Sequence, residues 1–490
     1  MKRFFLFLAI FFIVFNAACN RNENNVAPVQ INTTHGDGMN RAEEIYIQSL
    51  NLPDTAERIR LMKEIVKISP DSEYGLFAMG YIYVTEGKQK EGAELFTAAL
   101  KKKNNFGEAF FRRGNSKLAF KDYSGALSDY QRAIDYGYAG YGSYMARGDI
   151  LFMLGKYGDS INDYDKAIEL KPDLPEAYYN RGLAEIQNTG YIAAVSDFDS
   201  VIKFKEKYAE AYNNRGYAKY RSGNYTGALA DCTRAIELKK NYFDAYYNRG
   251  DIKSDSGDYS GSVDDYNSAI SLMPDNAEAF NGRGYAKYRM ERYNEAIADY
   301  SIAIEKKKNF AKAYYNRGNV REDAGDYKGA LADYKMVTRI EPRDIFAYIG
   351  MGNIKEKIRN YTGALADYST AIKLNPGYDT GYFARAYVRH KTGDYSGSIE
   401  DYSSVIAISP KNADAYRGRG AAKQKLKDYN GALSDYNHAI ELKPEDAGSY
   451  YDRGHLKLVM NMHSDACSDF KRAAALGWEV DEDLMAGCNK

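Results

Sequence analysis

The sequence predicts an all-α protein built as a solenoid of repeated helix pairs. The dipeptide Arg-Gly recurs through the 490-residue chain at spacings of 34 residues or a multiple of 34. A period of this length is typical of a helix-turn-helix repeat. Turns of the Gly-Asp-Tyr type lie between the two predicted helices, as at residues 257–259 and 393–395. The chain has only 10 prolines to interrupt its helices.

The Arg-Gly pair sets the boundaries of the units. Placing its glycine at repeat position 8 gives units that begin at residues 73, 107, 141, 175, 209, 243, 277, 311, 345, 379, 413 and 447. Residues 39–72 fit the pattern less well and are predicted to form a weak or capping unit. We therefore expect twelve units over residues 73–480 and a C-terminal capping helix over residues 481–490.

Other positions of each unit carry the residue types of tetratricopeptide repeats (TPRs), which the chain resembles over residues 73–480. Glycine at position 8 and alanine or serine at position 20 allow the two helices of a unit to approach closely. Position 24 is usually aromatic, and proline at position 32 often ends the second helix. The resemblance implies a right-handed superhelix of about 12–13 units, in which the first helix of each unit, helix A, lines a concave face.

The composition excludes several classes of protein. The chain has 67 basic and 67 acidic residues, so it lacks the positive charge expected of a nucleic-acid-binding protein. Its 4 cysteines are too few for a disulfide-dense scaffold. Of its 46 tyrosines, 27 fall at positions 4, 17 and 24 of the units, and we assign these to packing between helices.

The N-terminal residues are typical of an exported protein. Two basic residues precede an apolar run over residues 4–15, which predicts a secretory signal. Two alanines and Cys19 follow, and this segment resembles the lipobox of bacterial lipoproteins, although Asn16 stands where that pattern prefers leucine. The resemblance implies that residues 1–18 are removed and that Cys19 carries the lipid. The alternative is an ordinary signal peptide cut near Ala18. Residues 19–38 are predicted to form a flexible tether.

A departure from the usual TPR pattern predicts a repeated ion pair. Position 7, usually leucine, is arginine in ten of the last eleven units, and position 23 is aspartate in all eleven. Because helix A and the second helix, helix B, form an antiparallel hairpin, these positions lie opposite each other when counted outward from the turn. We expect pairs such as Arg215 with Asp231 and Arg317 with Asp333, which fix helix register more than they add net stability. One unit has methionine at position 7, so its Asp367 needs another partner or faces water.

The concave face is the candidate binding surface. What is known of TPRs places positions 5, 6 and 9 of helix A there. Asparagine at position 6 can both donate to and accept from a peptide backbone, and tyrosine at positions 5 and 9 adds aromatic surface. The candidate residues are Asn180, Asn214, Asn248, Asn316, Tyr179, Tyr217, Tyr247, Tyr285 and Tyr315. They resemble the asparagine ladder of TPRs that hold extended polypeptides. A solvated inner face with no single ligand is the alternative.

Two cysteines near the C-terminus are predicted to form a disulfide. Cys467 is at position 21 of the last unit, and Cys488 is at position 8 of the incomplete unit that follows. Helix B of one unit packs on helix A of the next, which brings these positions together. Cys232 occupies the aromatic position 24 and is expected to be a buried thiol.

The sequence indicates an interaction protein without chemistry of its own. We expect no catalytic residue, metal site or cofactor, because the histidines and cysteines lack metal-binding spacings and no phosphate-binding loop is present. The predicted function is a non-enzymatic protein–protein interaction scaffold, lipid-anchored in the bacterial cell envelope, either facing the periplasm or at the outer membrane. Its expected partners are proteins or extended peptides, not nucleic acid. The alternative is a TPR lipoprotein of a polysaccharide export or peptidoglycan assembly system, with a glycan against the groove tyrosines.

Overall fold

A computed structural model describes residues 41–50, 52, 56–481, 484, 485 and 488. The predicted signal (residues 1–18) and tether (residues 19–38) lie outside the described residues. Of the predicted capping helix, residues 484 and 485 are helical, and most of the rest also lies outside them. The described residues form helices and turns with no strand among them, so the predicted all-α fold is confirmed.

The chain divides into two compact bodies after Ser256, and each contains thirteen of the described helices. The first body contains α1 (Arg41–Leu50), α2 (Ala56–Ile68), α3 (Glu73–Thr85), α4 (Gln89–Lys102), α5 (Gly107–Ala119), α6 (Tyr123–Asp135), α7 (Tyr141–Met153), α8 (Tyr157–Leu170), α9 (Pro175–Gln187), α10 (Tyr191–Phe204), α11 (Ala209–Arg221), α12 (Tyr225–Leu238) and α13 (Phe243–Asp255). The second contains α14 (Tyr259–Leu272), α15 (Ala277–Arg289), α16 (Tyr293–Lys306), α17 (Ala311–Asp323), α18 (Tyr327–Ile340), α19 (Ile345–Lys357), α20 (Tyr361–Leu374), α21 (Asp379–Lys391), α22 (Tyr395–Ile408), α23 (Ala413–Lys425), α24 (Tyr429–Leu442), α25 (Ala447–Val459) and α26 (His463–Ala475).

From α3 onward, two kinds of helix alternate. Helix A occupies positions 1–13 of its unit, and helix B begins at position 17. Within each body, every helix packs against the helix before it and the helix after it in the chain. Helix B has 14 residues in most units, but α6 and α26 have 13, and each is followed by a glycine with positive φ, Gly137 and Gly477. A residue in that conformation ends a helix because it turns the chain out of the helical path.

The turn between helices A and B has one conformation throughout. Position 15 has a positive φ in all twelve units; it is glycine in six of them and another residue, such as Lys427, in the other six. At position 16 an aspartate or asparagine often caps helix B. The Asp394 side chain, for example, accepts a hydrogen bond from the backbone nitrogen of Gly397 at 3.0 Å. The cap satisfies a backbone donor at the start of the helix, which explains the recurrent Gly-Asp-Tyr sequence.

The interior of each helix pair depends on a glycine and an aromatic ring. A Cβ atom added to Gly114 at position 8 would lie 2.8 Å from Cε1 of Tyr130 at position 24. The same contact recurs in later units, where a Cβ on Gly284 would lie 3.0 Å from Cε1 of Tyr300. Tyr130 and Tyr300 are both fully buried. The tyrosines at position 24 therefore pack in the core, as their period predicts.

A buried ionic cluster joins the weak first unit to the units that follow. Nη2 of Arg58, on α2, lies 2.6 Å from Oε1 of Glu108, on α5, and Nε of Arg112 lies 3.1 Å from the same oxygen. The Tyr46 hydroxyl donates to the other carboxylate oxygen at 2.9 Å. Burial tends to raise the pKa of Glu108, but Arg58 and Arg112 outweigh it and hold that pKa below its usual range. No repeat position predicts this cluster.

Replacing Gly114 with alanine should destabilise the protein by about 1–3 kcal/mol, because the new methyl group overlaps the Tyr130 ring in a close-packed core. The matched control is Gly158→Ala. Gly158 lies near the start of α8, where an added Cβ meets nothing within 4 Å. Alanine should leave stability unchanged there, or raise it by up to about 1 kcal/mol through helix propensity. Urea unfolding followed by circular dichroism measures both effects. Equal stability of the two variants would contradict the steric explanation.

Candidate functional site

The four position-6 asparagines lie between consecutive helices A. The side-chain nitrogen of each one donates to a residue of the preceding helix A at 2.9–3.0 Å: Asn180 to Asp149, Asn214 to Tyr179, Asn248 to Asn213, and Asn316 to Asn281. Asn180 and Asn214 are buried. These amides therefore connect neighbouring units. The hypothesis that they also hold a peptide backbone stays a prediction, and their nitrogens would have to leave these bonds to donate to a ligand.

The predicted tyrosines differ in how far they are exposed. Tyr179 is 6% exposed, and its hydroxyl accepts the Asn214 bond. Tyr217 and Tyr285, both at position 9, are half-buried. Each accepts a hydrogen bond from an arginine one helical turn later in the same helix. Half-buried and fixed by that bond, these two rings present a rigid aromatic surface on helix A.

Two further candidates, both at position 5, pack against other aromatic rings. The Tyr247 ring stacks on Phe243, with ring centroids 5.8 Å apart. The Tyr315 ring lies 5.6 Å from Tyr334, the core tyrosine at position 24 of the same unit. Position 5 therefore contributes mainly to packing, whereas position 9 contributes more of the surface.

Arginine at position 7 and aspartate at position 23 form bidentate ion pairs. In nine units, Nη2 of the arginine lies 2.5–2.7 Å from Oδ1 of the aspartate. In the pair of Arg215 with Asp231, Nε also donates to Oδ2 at 2.8 Å, and in that of Arg317 with Asp333 it does so at 2.9 Å. The aspartates are buried, so the guanidinium group supplies both their charge partner and their hydrogen bonds.

The same arginines also bond to the preceding unit, which sequence reasoning missed. Nη1 donates to the side chain at position 25, 16 residues earlier, as from Arg317 to Ser301 at 2.8 Å and from Arg385 to Ser369 at 2.9 Å. The guanidinium carbon also lies 5.3–5.8 Å from the centroid of the ring at position 4. Each arginine thus links helix A, helix B and the previous unit.

A signal for this contact is present in the sequence. Position 25 carries an oxygen acceptor in every unit that precedes a position-7 arginine. The one unit that precedes Met351 has Lys335 at this position instead. In the unit of Met351 itself, Asp367 pairs with Lys355, whose Nζ lies 2.5 Å from Oδ2. Burial raises the pKa of Asp367, and the charges of Lys355 and of Lys335, a lysine of the preceding unit, oppose that shift in place of the missing guanidinium.

Most of the position-23 aspartates have a second cation, at position 11 of helix A. The lysine or arginine nitrogen lies 2.8–3.1 Å from Oδ2 in the pairs Lys117–Asp129, Lys219–Asp231, Lys287–Asp299, Arg321–Asp333, Arg389–Asp401, Lys423–Asp435 and Lys457–Asp469. Asp163 and Asp197 lack this partner because position 11 is Leu151 or Glu185 in their units. Burial raises the pKa of both carboxyls, although their arginines oppose the shift.

The two C-terminal cysteines are joined. Cys467 and Cys488 form a disulfide with their Cα atoms 5.2 Å apart. Near this end of the second body, the Trp478 ring lies 5.5 Å from Tyr451, and the Arg417 guanidinium carbon lies 5.8 Å from the same indole. Cys232 is a buried free thiol.

A metal site, a membrane-spanning helix and a surface groove were sought among the described residues. They contain no group of three or more His, Cys, Asp or Glu side chains placed to hold a metal ion. None of the described helices is long and apolar enough to cross a membrane. A shallow groove of about 540 Å³ lies along α18 and is lined by Tyr327, Leu331, Lys335 and Ile358 among others. Its polar groups are two lysines and a tyrosine, without an acid–base pair.

Family models match seven segments of the chain. The model described as TPR repeat matches residues 148–188, 250–291, 288–325 and 388–427, and two models described as tetratricopeptide repeat match residues 209–242, 311–344 and 413–446. The chain contains tetratricopeptide repeats. The segments at 209–242, 311–344 and 413–446 begin and end on the unit boundaries that the Arg-Gly period sets.

Solved TPR structures resemble the chain at low identity. A TPR protein from Parabacteroides merdae is 20% identical, with 51% of this chain and 99% of that one covered and a TM-score of 0.39. YrrB, described as a TPR protein with an unusual peptide-binding site, is 21% identical over 40% of this chain and 97% of that one, with a TM-score of 0.34. The Cut9–Hcn1 hetero-tetramer is 15% identical over 92% of this chain and 96% of that one, with a TM-score of 0.38. Comparison with curated proteins gave no significant match.

Replacing Arg147 with methionine should cost about 3–5 kcal/mol of unfolding free energy, because Asp163 would keep its buried position without a cation. The matched variant is Arg317→Met. It should cost less, about 1–2 kcal/mol, because Asp333 keeps Arg321 at 2.8 Å.

Urea unfolding of both variants measures the difference. The double variant R147M/D163N should recover much of the loss, because it removes the unpaired charge. Equal losses for the two arginine variants would show that the second cation does not protect the aspartate.

Proposed function

We propose that this chain is a non-enzymatic scaffold that binds partner proteins, or extended peptides from them, on the helix-A face of its TPRs. One observation carries the proposal: helix pairs fill the described chain from residue 73 to residue 475 and leave the repeat surface as its main feature. TPRs are protein-interaction modules, and stacked units offer a long surface for a partner.

Helix A is the better candidate for the contact because two of its half-buried tyrosine rings are held in place. Tyr217 and Tyr285 are fixed by hydrogen bonds from Arg221 and Arg289. Tyr387, also at position 9, is 49% exposed. A rigid tyrosine gives a large contact area at a low cost in conformational entropy, which is why tyrosine is common at binding sites.

We further propose that the protein is lipid-anchored in a bacterial cell envelope through Cys19. The apolar run over residues 4–15 and the small residues before Cys19 support this placement. The Cys467–Cys488 disulfide is also consistent with it, because disulfides persist in oxidising compartments outside the cytosol. The polar residues 20–38 would then hold the repeats away from the membrane.

Site-specific photo-cross-linking tests the binding face. A benzophenone amino acid placed at Tyr217 or Tyr285 in cells should yield the same partner protein as a light-dependent adduct. The matched controls are Ile192, which is 81% exposed on helix B, and Ser268, which is half-buried on helix B as the two tyrosines are on helix A. These positions should give no such adduct. Equal adducts at the control positions would contradict the choice of face, and recovery of glycan without protein would favour the polysaccharide or peptidoglycan role.

Metabolic labelling with a fatty-acid analogue tests the anchor. The wild-type chain should incorporate the label and fractionate with membranes, whereas Cys19→Ser should lose the label and be released as soluble protein. Cys232→Ser is the control, since Cys232 is a buried thiol within α12 and should not affect labelling. An unlabelled wild-type chain would remove the anchor from the proposal and leave the scaffold role intact.

A further inference from the structure

One seven-residue sequence occurs twice in helix A. Residues 215–221 and residues 283–289 both read RGYAKYR, and they lie 68 residues, or two units, apart. The first copy lies in α11 and the second in α15, so each can be described within its own body. Three residues of this sequence recur in most units: the arginine at position 7, the glycine at position 8 and the lysine at position 11. The tyrosines at positions 9 and 12 and the arginine at position 13 do not.

The final arginine has the same surroundings in both copies. Nη1 of Arg221 donates to the Tyr217 hydroxyl at 2.8 Å, and its guanidinium carbon lies 4.9 Å from the centroid of the Tyr191 ring in the preceding unit. In the second copy, Nη1 of Arg289 donates to Tyr285 at 3.0 Å, and the guanidinium lies 4.8 Å from the Tyr259 ring. Two tyrosines therefore hold each guanidinium in a defined orientation.

Neither arginine is neutralised within its own body. Among the described residues, no carboxylate forms an ion pair with Arg221 or Arg289, and both side chains are exposed. Later units differ at the same position 13. There Nζ of Lys357 lies 2.8 Å from Glu322, and Nζ of Lys391 lies 2.8 Å from Glu356.

Each arginine therefore keeps unused donors. A guanidinium group has five N–H donors, and the tyrosine hydroxyl takes only one of them. The ring contacts cover its face and leave its edge, with Nε and Nη2, open to an acceptor. A carboxylate matches that edge because its two oxygens can accept two parallel hydrogen bonds.

In the described part of the chain, the second copy lacks an internal hydrogen bond because a tyrosine occupies position 9. The Tyr300 side chain is fully buried, and its hydroxyl has no hydrogen-bond partner among the described residues. In four other units the tyrosine at position 24 donates to an Asn or Asp oxygen at position 9: Tyr130 to Asn115, Tyr164 to Asp149, Tyr334 to Asn319, and Tyr368 to Asn353, at 2.7–2.9 Å. In the unit of Tyr300, position 9 is Tyr285, so that acceptor is missing.

A neighbouring aspartate limits the charge of the ligand. The Tyr220 hydroxyl donates to Asp255, and the Tyr288 hydroxyl donates to Asp323 at 2.6 Å, so in each copy the residue that precedes the arginine in sequence binds a carboxylate. A ligand with two negative charges would be repelled by that aspartate, whereas a singly charged carboxylate meets less repulsion.

We propose that each RGYAKYR copy is a carboxylate-binding site, in which Arg221 or Arg289 binds a carboxylate of the partner peptide on helix A. The carboxylate comes from an Asp or Glu side chain or from a free C-terminus. This inference rests on the proposed function, because it assigns the chemistry of the partner that the helix-A face binds.

A displayed library of random 12-residue peptides, selected on the purified full chain, tests the site. Peptides selected on the wild-type protein should be enriched in Asp and Glu, and this enrichment should disappear on R221Q/R289Q. The matched control is K357Q/K391Q, which removes the same number of charges from position 13 but from lysines that are already paired. It should keep the enrichment.

Synthetic versions of the selected peptides then identify the source of the carboxylate. One change replaces the Glu of a selected peptide with Gln, and the other converts its free C-terminus to an amide. The change that removes the carboxylate bound by the arginine should weaken binding by about ten-fold, and the other should have little effect. Selected peptides without acidic enrichment, or with the same enrichment on R221Q/R289Q, would overturn this inference and leave the scaffold proposal standing. A helix-A face that selects no peptide would overturn both.

Discussion

The guanidinium group at position 7 connects three parts of the protein at once. Two of its nitrogens bind the aspartate of helix B, a third reaches the previous unit, and its face lies near the aromatic ring at position 4 of its own helix. Lysine could not make these contacts together, because it lacks the planar fork that separates the donors. The same group therefore sets both the register of each hairpin and the way each unit sits on the unit before it.

Burying an aspartate in most units requires compensation, and the chain supplies it in more than one way. Most units add a lysine or arginine at position 11, so that two cations face one carboxylate. Where a cation is missing, as at Asp163 and Asp197, burial raises the pKa of the carboxyl. Where the arginine itself is missing, Lys355 and Lys335 take over part of its charge. Because repeat proteins are stabilised by contacts within and between adjacent units, such local differences should produce units of unequal stability.

Features with a strict period could be predicted from the sequence, and features that depend on the angle between units could not. The all-α fold and the tetratricopeptide repeats follow from the 34-residue period. The placement of Arg317 opposite Asp333 follows from counting outward from the turn. The contact from Arg317 to Ser301 crosses to another unit, and nothing in a single hairpin specifies that packing. For the same reason the sequence showed Asn214 as a surface amide, whereas its nitrogen is bonded to Tyr179 in the preceding helix A. The cluster around Glu108 has no period at all.

Each position-7 arginine bonds to one residue 16 positions ahead and to another 16 positions behind. Adding or removing a whole 34-residue unit preserves both of these sequence separations, whereas a change of another length between the partners alters at least one of them. Duplication of whole units within the gene is thus the step that lengthens this protein without rebuilding its contacts. The two copies of RGYAKYR, separated by two complete units, are the pattern that such a duplication leaves. A chain that grows in this way copies its surface along with its core, so a binding site on helix A is multiplied at a fixed interval.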